Sequence, residues 1–208
     1  MNRVTEKKII LFGDSVLFGA GSSHRGKGCG RVLRDMLRDN HVLIKARNKD
    51  TTREGLQRLA FDVLSDNTPA DVIVLFGNND CRLRDIDEPL VPLSEYKDNL
   101  KTIITLIKNN RKVPILSNLQ PLDSDKFYVT LRGMSKFIKH ISSPYEWQKK
   151  YSLACEEVAY KENITLANIR TNLEKLGNVI FAEDGLHPND LGHQVIAQTF
   201  FELLKENS

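Results

Sequence analysis

The stretch from Asp71 to Phe76 (DVIVLF) decides the fold class, since it carries the strongest strand signal in the chain. Its side chains are β-branched or apolar almost throughout, without the polar–apolar alternation that marks a strand with one solvated face. Strands of this kind are buried on both faces and belong to parallel sheets that helices cover on each side. The stretch therefore predicts the centre of a parallel β-sheet.

Four more short apolar runs occur along the chain, and longer amphipathic segments separate them. The predicted strands are residues 8–12, 42–45, 71–76, 113–116 and 164–167. The predicted helices are residues 31–38, 51–64, 93–110, 145–161 and 191–204, where apolar side chains recur at helical spacing. A pair of threonines starts the helix over 51–64 and suits an N-cap. Strands that alternate with helices predict an α/β fold, here a flavodoxin-like three-layer α/β/α sandwich around a five-stranded parallel sheet.

Length and composition restrict the class of protein. A chain of 208 residues suits a single domain over 1–208 with one buried core. The hydrophobic fraction of 40% and the charged fraction of 27% are ordinary for a globular protein. The net charge of +3 is small and scattered, which argues against nucleic acid as a partner. No apolar run approaches the roughly 18 residues of a membrane span, so we expect no stable membrane insertion.

The first apolar run and the cysteines bear on the cellular compartment. The run from Ile9 to Phe12 is too short for the core of a signal peptide. The three cysteines, Cys29, Cys81 and Cys155, are widely spaced and odd in number, which indicates neither a disulfide framework nor a zinc site. We expect each of them to be a small buried side chain in a reduced, cytoplasmic protein.

Polar clusters follow the predicted strands at the edge of the sheet where ligands bind in open α/β folds. Residues 13–15 (GDS) follow the first strand, residues 48–52 (NKDTT) the second and residues 77–80 (GNND) the third. Residues 184–188 (DGLHP) precede the last helix. Because the carboxyl ends of parallel strands share one edge, we expect all four clusters to meet there.

Three of these clusters contain the parts of an activated nucleophile. A serine hydroxyl needs a base to take its proton, and an imidazole serves as that base when a carboxylate orients it. Ser15, His187 and Asp184 supply these groups, and the DxxH spacing lets one turn hold the carboxylate beside the ring. The amide of Asn79 is suited to stabilise an oxyanion, together with backbone N–H groups of Ser15 and of the loop after the second strand.

Each cluster alone also fits a plain structural role. GDS and GNND sequences are common in turns, and a DxxH before a helix fits an N-cap beside a structural histidine. Their joint occurrence, in this order and after the expected strands, favours catalysis.

Together the clusters resemble the SGNH hydrolase family, also called GDSL-type esterases and lipases. The resemblance runs from Gly13 to His187, with the closing helix beyond. The first family block is similar to residues 13–15, although Val16 stands where the family has leucine. The GxND block is matched by residues 77–80 and the DxxH block by residues 184–187.

The resemblance implies a role for each matched residue. Ser15 would be the nucleophile and would also donate its N–H to the oxyanion, which the side chain of Asn79 would bind as well. His187 would be the base, and Asp184 would orient it.

Residues beside these positions have supporting roles at most. Gly77 belongs to the GxND block. Asp14 and Asp80 lie next to the chemistry, and we interpret them as loop braces that accept backbone N–H bonds.

The second block departs from the family pattern, which places a glycine with an oxyanion-binding N–H before a DTT-like sequence. The corresponding position here is Lys49. Lysine still donates a backbone N–H, but a left-handed backbone there would be strained by about 1 kcal/mol. Either the loop follows another path or the oxyanion hole is altered. The side chain is either merely exposed or favours an anionic group of the substrate.

Competing motifs are weaker. Residues 21–28 (GSSHRGKG) nearly match a phosphate-binding loop, but the final hydroxyl residue is missing and no strand precedes the loop directly. A GxSxG elbow is absent around Ser15. Ser94 and Lys97 form an SxxK at a predicted helix start, where serine is an ordinary cap. The other four histidines, His24, His41, His140 and His193, show no metal-ligand spacing.

The sequence thus predicts a serine esterase that acts through an acyl-enzyme on short-chain acyl esters or O-acetylated small molecules and sugars. Lysophospholipids or thioesters are alternative substrates, and a catalytically weak binding module on the same fold is an alternative of another class. We expect no metal and no cofactor, and a small-molecule ester as partner. The chain is also compatible with a homo-oligomer. The long irregular segment 118–144 is a candidate lid or substrate loop.

Overall fold

The computed structural model describes residues 8–38, 41–130, 140–141 and 143–206. Its strands are β1 (Lys8–Gly13), β2 (Val42–Ala46), β3 (Ala70–Leu75), β4 (Leu83–Asp85), β5 (Glu88–Pro89), β6 (Val113–Ser117) and β7 (Thr165–Ala167). Its α-helices are α1 (Ser15–Phe18), α2 (Cys29–Leu37), α3 (Thr52–Asp62), α4 (Leu93–Asn109), α5 (Ser124–Thr130), α6 (Pro144–Lys161), α7 (Ile169–Glu174) and α8 (Asp190–Glu206). Short 3₁₀ helices occupy Arg25–Lys27 and Gly177–Ile180.

The main sheet has five parallel strands in the order β2-β1-β3-β6-β7, which is the order of flavodoxin-like folds, the class predicted from the sequence. Every residue of β3 is buried, as the apolar run at its centre indicates. The chain leaves β1 toward one side to form β2 and then returns to form β3 on the other side. The carboxyl ends of β1 and β3 therefore border the crevice in which ligands bind in such sheets.

The helices form two groups, one on each face of the sheet. Helix α2 packs against α8, and α7 packs against α8 as well. Helix α4 packs between α3 and α6. This division follows from right-handed crossovers, because the connection from β1 to β2 runs in the direction opposite to the later ones. The predicted three-layer architecture is confirmed. Among the described helices, none is long and apolar enough to cross a membrane.

The five predicted helices are all present, with ends that lie at most two residues from the predicted ones. Thr51 is the N-cap of α3, and Glu54 completes a capping box with it. The prediction that Ser94 caps α4 is wrong: Pro92 holds the N-cap position and Ser94 lies within the first turn.

Several short elements were not predicted. The β4–β5 hairpin and helices α1, α5 and α7 are too short or too polar for their apolar periodicity to show. The segment 118–144 is not irregular throughout, because α5 lies inside it. Residues 131–139 and 142 of that segment lie outside the described residues.

The three cysteines are free and buried, as expected from the sequence.

Candidate active site

Ser15 lies directly beyond the carboxyl end of β1. The backbone N–H of Asp14 donates to the carbonyl of Leu75 in β3 (3.1 Å), which ties the end of β1 to its neighbour. Asp14 then caps α1 by accepting a hydrogen bond from Val16 N (2.9 Å). Ser15 is thereby the first residue of a short helix, and only 9% of it is exposed.

His187 and Asp184 share one tight turn before α8. The Oδ1 atom of Asp184 accepts hydrogen bonds from the backbone N–H groups of Leu186 and His187, both at 2.9 Å. Gly185 has the left-handed φ of +68° that this turn requires, and a Cβ there would lie 2.7 Å from the carbonyl oxygen of Asp123. The turn leaves the other carboxylate oxygen of Asp184 facing the imidazole ring.

The three side chains form a continuous hydrogen-bonded chain. His187 Nδ1 lies 2.5 Å from Asp184 Oδ2, and His187 Nε2 lies 3.0 Å from Ser15 Oγ. An ionised carboxylate only accepts, so Nδ1 carries the proton and Nε2 of the neutral ring accepts from the serine hydroxyl. Partial burial of Asp184 opposes its ionisation, yet hydrogen bonds from the ring and backbone of His187 and from the Leu186 N–H lower its pKa to about 2. The geometry suits removal of the Ser15 proton.

Asn79 lies beyond β3 and reaches the loop after β2. Its Nδ2 atom donates to the carbonyl oxygen of Asp50 at 2.9 Å. This bond uses one of the two amide hydrogens, so the other is available for a ligand in the cleft that Asn79 helps to line. The loops that carry Asn79 and Lys49 therefore meet beside Ser15.

Lys49 has the left-handed backbone of a glycine, with φ of +71°. The loop does not avoid the strained conformation, which costs a non-glycine residue about 1 kcal/mol. Its side chain is exposed and borders the same cleft as Ser15.

Two buried carboxyl groups brace the loops under the serine. Asp80 accepts from the backbone N–H of Thr52 (3.0 Å) and from its hydroxyl (2.5 Å), so it joins the end of β3 to the start of α3. Burial raises the pKa of Asp80 to about 7 and that of Asp14 to about 6, in spite of the hydrogen bonds that both accept. Neither carboxyl group contacts Ser15 Oγ or the His187 ring by a hydrogen bond in the described structure.

Gly77 allows the chain to turn sharply after β3. Its φ is +140°, and a Cβ there would lie 2.9 Å from both Leu119 Cδ1 and the hydroxyl of Tyr96. That hydroxyl donates to the carbonyl of Phe76 (2.8 Å). A side chain at this position would displace the loop that carries Asn79.

A buried amide network that the sequence analysis missed links the serine loop to the histidine loop. Asn78 Nδ2 donates to Asp14 Oδ2 (3.1 Å), and its Oδ1 accepts from Gln120 (3.1 Å) and Gln148 (2.9 Å). Gln120 Nε2 also donates to the carbonyl of Leu186 (3.3 Å). Glutamines carry no periodic or motif signal, so only their three-dimensional placement reveals them.

Arg58 is a second missed support. It is 7% exposed and donates to Asp50 Oδ2 (2.6 Å) and to the carbonyl of Gly13 (2.9 Å). It thereby holds the loop after β2 against the end of β1. In the sequence, Arg58 resembles any surface arginine in the middle of a helix. Its one signal is its position six residues after Thr52, which places both residues on the buried side of α3.

A cleft of about 320 Å³ opens beside Ser15 and His187. Apolar side chains form much of its lining: Leu83, Leu122, Phe127, Ile141, Pro144, Trp147 and Leu186. Several of these come from the segment 118–144, which therefore contributes to the cleft, as the substrate-loop hypothesis expects. Trp147 is fixed by a hydrogen bond from its Nε1 to the carbonyl of Cys81 (2.7 Å).

The competing motifs have structural partners elsewhere. In residues 21–28, Ser23 donates from both its N–H and its hydroxyl to Asp190 at the start of α8. Lys97 of the SxxK pairs with Glu157 (2.5 Å). His193 is buried between the N–H of Cys29 and the carbonyl of Ala20. None of these groups lines the cleft beside Ser15 except Ala20.

A serine, an imidazole and a carboxylate in one hydrogen-bonded chain at the edge of a flavodoxin-like sheet define the class of protein: the chain is a serine ester hydrolase. It belongs to the GDSL-like lipase/acylhydrolase family, whose sequence pattern matches residues 11–195.

Sequence relatives agree with this assignment. A GDSL esterase/lipase of Arabidopsis thaliana is 29% identical over 216 residues, which cover 96% of this chain and 86% of that protein. The GDSL esterase/lipase WDL1 of Oryza sativa subsp. japonica is 28% identical over 207 residues, covering 95% and 77% respectively.

Solved structures share the fold. The lipase/acylhydrolase from Enterococcus faecalis superposes with a TM-score of 0.78 at 22% identity, over 97% of this chain and 96% of that one. A catalytic mutant of Axe2, an acetylxylan esterase from Geobacillus stearothermophilus, has a TM-score of 0.69 at 19% identity, over 94% and 93%.

Proposed function

We propose that Ser15 is the nucleophile of this ester hydrolase, that His187 is its general base and acid, and that Asp184 orients His187. The observation that carries the proposal is the unbroken chain of hydrogen bonds from Ser15 Oγ through His187 to Asp184. The whole of residues 1–208 would act as one hydrolase domain.

In the proposed reaction, Ser15 Oγ attacks the ester carbonyl while His187 Nε2 takes its proton. The carbonyl oxygen becomes an oxyanion, which the N–H groups of Ser15 and Lys49 and the free amide hydrogen of Asn79 stabilise. The tetrahedral intermediate breaks down when His187 returns the proton to the leaving alcohol, and an acyl-enzyme remains. Water then attacks the acyl group with His187 again as base, which releases the acid and restores the serine.

Short-chain acyl esters and O-acetylated sugars are the first substrate class that we propose. A protein that shares this fold, the acetylxylan esterase from Geobacillus stearothermophilus, is an example of the sugar-ester class. The apolar lining of the cleft supports a second class, namely lysophospholipids or thioesters with a longer acyl chain.

The test is hydrolysis of para-nitrophenyl esters of increasing chain length by wild type and by Ser15→Ala, with fluorophosphonate labelling alongside. We expect Ser15→Ala to lose turnover by roughly 10⁴-fold or more and to lose the label. Ser94→Ala, a change at an exposed serine outside the cleft, should retain both. The chain length with the highest kcat/KM will decide between the two substrate classes.

Two results would contradict the proposal. Retention of most activity in Ser15→Ala would exclude Ser15 as nucleophile. Absence of both turnover and labelling in wild type would favour the binding-module alternative.

A further inference from the structure

We propose that Lys49 and Arg82 form an anion-binding pair at the rim of the cleft and select esters that carry a negative charge. The inference rests on the proposed esterase function and narrows its substrate class. It concerns the two side chains, whereas the oxyanion hole uses only the backbone of Lys49.

The two residues lie on loops that meet beside Ser15. Asn79 Nδ2 donates to the carbonyl of Asp50, the residue after Lys49, at 2.9 Å. The backbone N–H of Arg82 donates to the carbonyl of Asn79 at 3.2 Å. Lys49 directly precedes Asp50, and Arg82 follows Asn79 by three residues, so both lie close to this contact between the two loops. Both residues line the cleft that contains Ser15.

Neither cation is neutralised within the described part of the chain. No ion pair or side-chain hydrogen bond is found there for Lys49 Nζ or for the Arg82 guanidinium, and both residues are exposed. Other basic side chains near the site do have carboxylate partners: Arg53 binds Glu95 and Arg58 binds Asp50.

The carboxylates near the cleft do not offset the pair. Asp184 is the one acidic residue among the described residues of the lining, and it binds the ring of His187. Asp50 is held by Arg58 at 2.6 Å. Asp14 and Asp80 lie buried beneath the loops, where each accepts hydrogen bonds from neighbouring groups. The rim is therefore positively charged.

The same cleft is also lined by apolar side chains, among them Phe127 and Trp147. A ligand complementary to both features has an apolar portion and a carboxylate, sulfonate or phosphate. The anion belongs either to the acyl group or to the leaving alcohol, and the test separates these two sources.

The test compares charged and neutral esters of matched shape. In the acyl arm, para-nitrophenyl adipate monoester is compared with its methyl ester. In the alcohol arm, the acetate ester of para-hydroxybenzenesulfonate is compared with that of para-(methylsulfonyl)phenol. We expect wild type to prefer the charged ester in one arm by about five- to tenfold in kcat/KM at low ionic strength, mainly through KM. Salt should reduce this preference.

The variants are Lys49→Gln and Arg82→Gln, and the quantity read is the ratio of the charged to the neutral kcat/KM. Each variant should lower the ratio about threefold, while Arg82→Lys, which retains the charge, should keep it. Lys101→Gln removes a half-exposed lysine outside the cleft and should leave the ratio unchanged. A wild-type ratio near one in both arms, or a ratio that neither glutamine variant changes, would overturn the inference.

A binding measurement separates this inference from the proposed function. Titration calorimetry with octanesulfonate on Ser15→Ala protein requires no turnover. We expect weaker binding in the Arg82→Gln background and unchanged binding in the Lys101→Gln background. Equal binding in all three proteins would refute the anion site, whereas hydrolysis that persists in Ser15→Ala would refute only the nucleophile assignment.

Discussion

At the scale of single residues, the candidate site is preorganised because hydrogen bonds hold its polar groups in place. Asp184 uses one oxygen for two backbone N–H groups and the other for the His187 ring. One amide hydrogen of Asn79 bonds to the carbonyl of Asp50, and the other is available for a ligand. Groups held in this way need no reorganisation when charge develops on a bound ester.

The role of Asn79 leads to a prediction on kcat. Asn79→Ala removes an oxyanion donor, so we expect kcat to fall by about 10²–10³-fold with a smaller change in KM. Steady-state kinetics on the best para-nitrophenyl ester will measure this. Asn110→Ala, which loses only an amide bond to the carbonyl of Leu106, is the matched control. If kcat is the same in both variants, Asn79 does not bind the oxyanion.

Single residues also show where sequence reasoning stops. The positions of Ser15, Asn79 and His187 after predicted strands or before a predicted helix were enough to bring them together. Lys49 was recognised as a departure from the family pattern, but its φ of +71° required the structure. Asn78 and Gln148 were missed because a buried amide depends on partners far away in the sequence.

At the scale of elements, Asp80 joins the end of β3 to the start of α3, and its buried carboxyl group lowers the stability of the protein at high pH. Burial raises its pKa in the folded protein to about 7, above the ordinary value of 3.8. The folded state then holds a proton that the unfolded state has released, so this group favours folding less and less as the pH rises from about 4 to about 7. One of its oxygens, Oδ2, has no hydrogen-bond partner among the described residues.

Asp80→Asn should therefore flatten the pH dependence of stability. We expect wild type and variant to unfold with similar free energies at pH 5, and the variant to be more stable by about 1–3 kcal/mol at pH 8. Denaturant unfolding at four pH values between these limits is the measurement. Asp66→Asn is the control, because Lys8 lowers the pKa of Asp66 to about 2, so its titration is complete below this range. A parallel pH profile for wild type and Asp80→Asn would show that the carboxyl group is ionised throughout.

Helix α6 is tied to the active-site loops by Gln148. This side chain donates to Asn78 Oδ1 (2.9 Å) and to the carbonyl of Gln120 (2.7 Å), and accepts from Arg170 (2.9 Å). Gln148→Ala removes three buried hydrogen bonds, one of them from a guanidinium, so we expect a loss of about 2–4 kcal/mol in the free energy of unfolding. Gln198→Ala on the exposed face of α8 should change it by less than about 0.5 kcal/mol. A loss of the same small size for Gln148→Ala would mean that water replaces the amide.

The elements differ in how far the sequence predicts them. The five strands of the main sheet and the five long helices were predicted because periodicity accumulates over their length. The β4–β5 hairpin, with strands of three and two residues, offers too few positions for such a pattern. It nevertheless follows directly from the GNND loop and places Leu83 in the cleft.

At the scale of the whole molecule, strand order brings together residues that are distant in the chain. Ser15 and His187 are 172 positions apart, yet they lie within hydrogen-bond distance because β1 lies inside the sheet, between β2 and β3, and the last turn returns to its carboxyl end. The class of fold thus predicts where a site forms, and the polar residues at the strand ends determine its chemistry.

The three cysteines allow the cooperativity of this fold to be tested. Cys29, Cys81 and Cys155 are 0%, 7% and 1% exposed, and burial raises the pKa of Cys29 and of Cys155 to about 12 and that of Cys81 well above its usual range. Reaction with a disulfide reagent requires an accessible thiolate, so the native protein should release no thiol signal on the timescale on which the denatured protein releases three. All three cysteines belong to the core, but Cys81 also borders the cleft. We expect labelling of Cys29 and Cys155 to require global unfolding, whereas labelling of Cys81 reports local opening. We therefore expect any slow labelling of the native protein to disappear in Cys81→Ala. The measurement is the release of the thiol signal over hours, at denaturant concentrations below the unfolding midpoint. Rapid native labelling that persists in Cys81→Ala would show that the core opens without global unfolding.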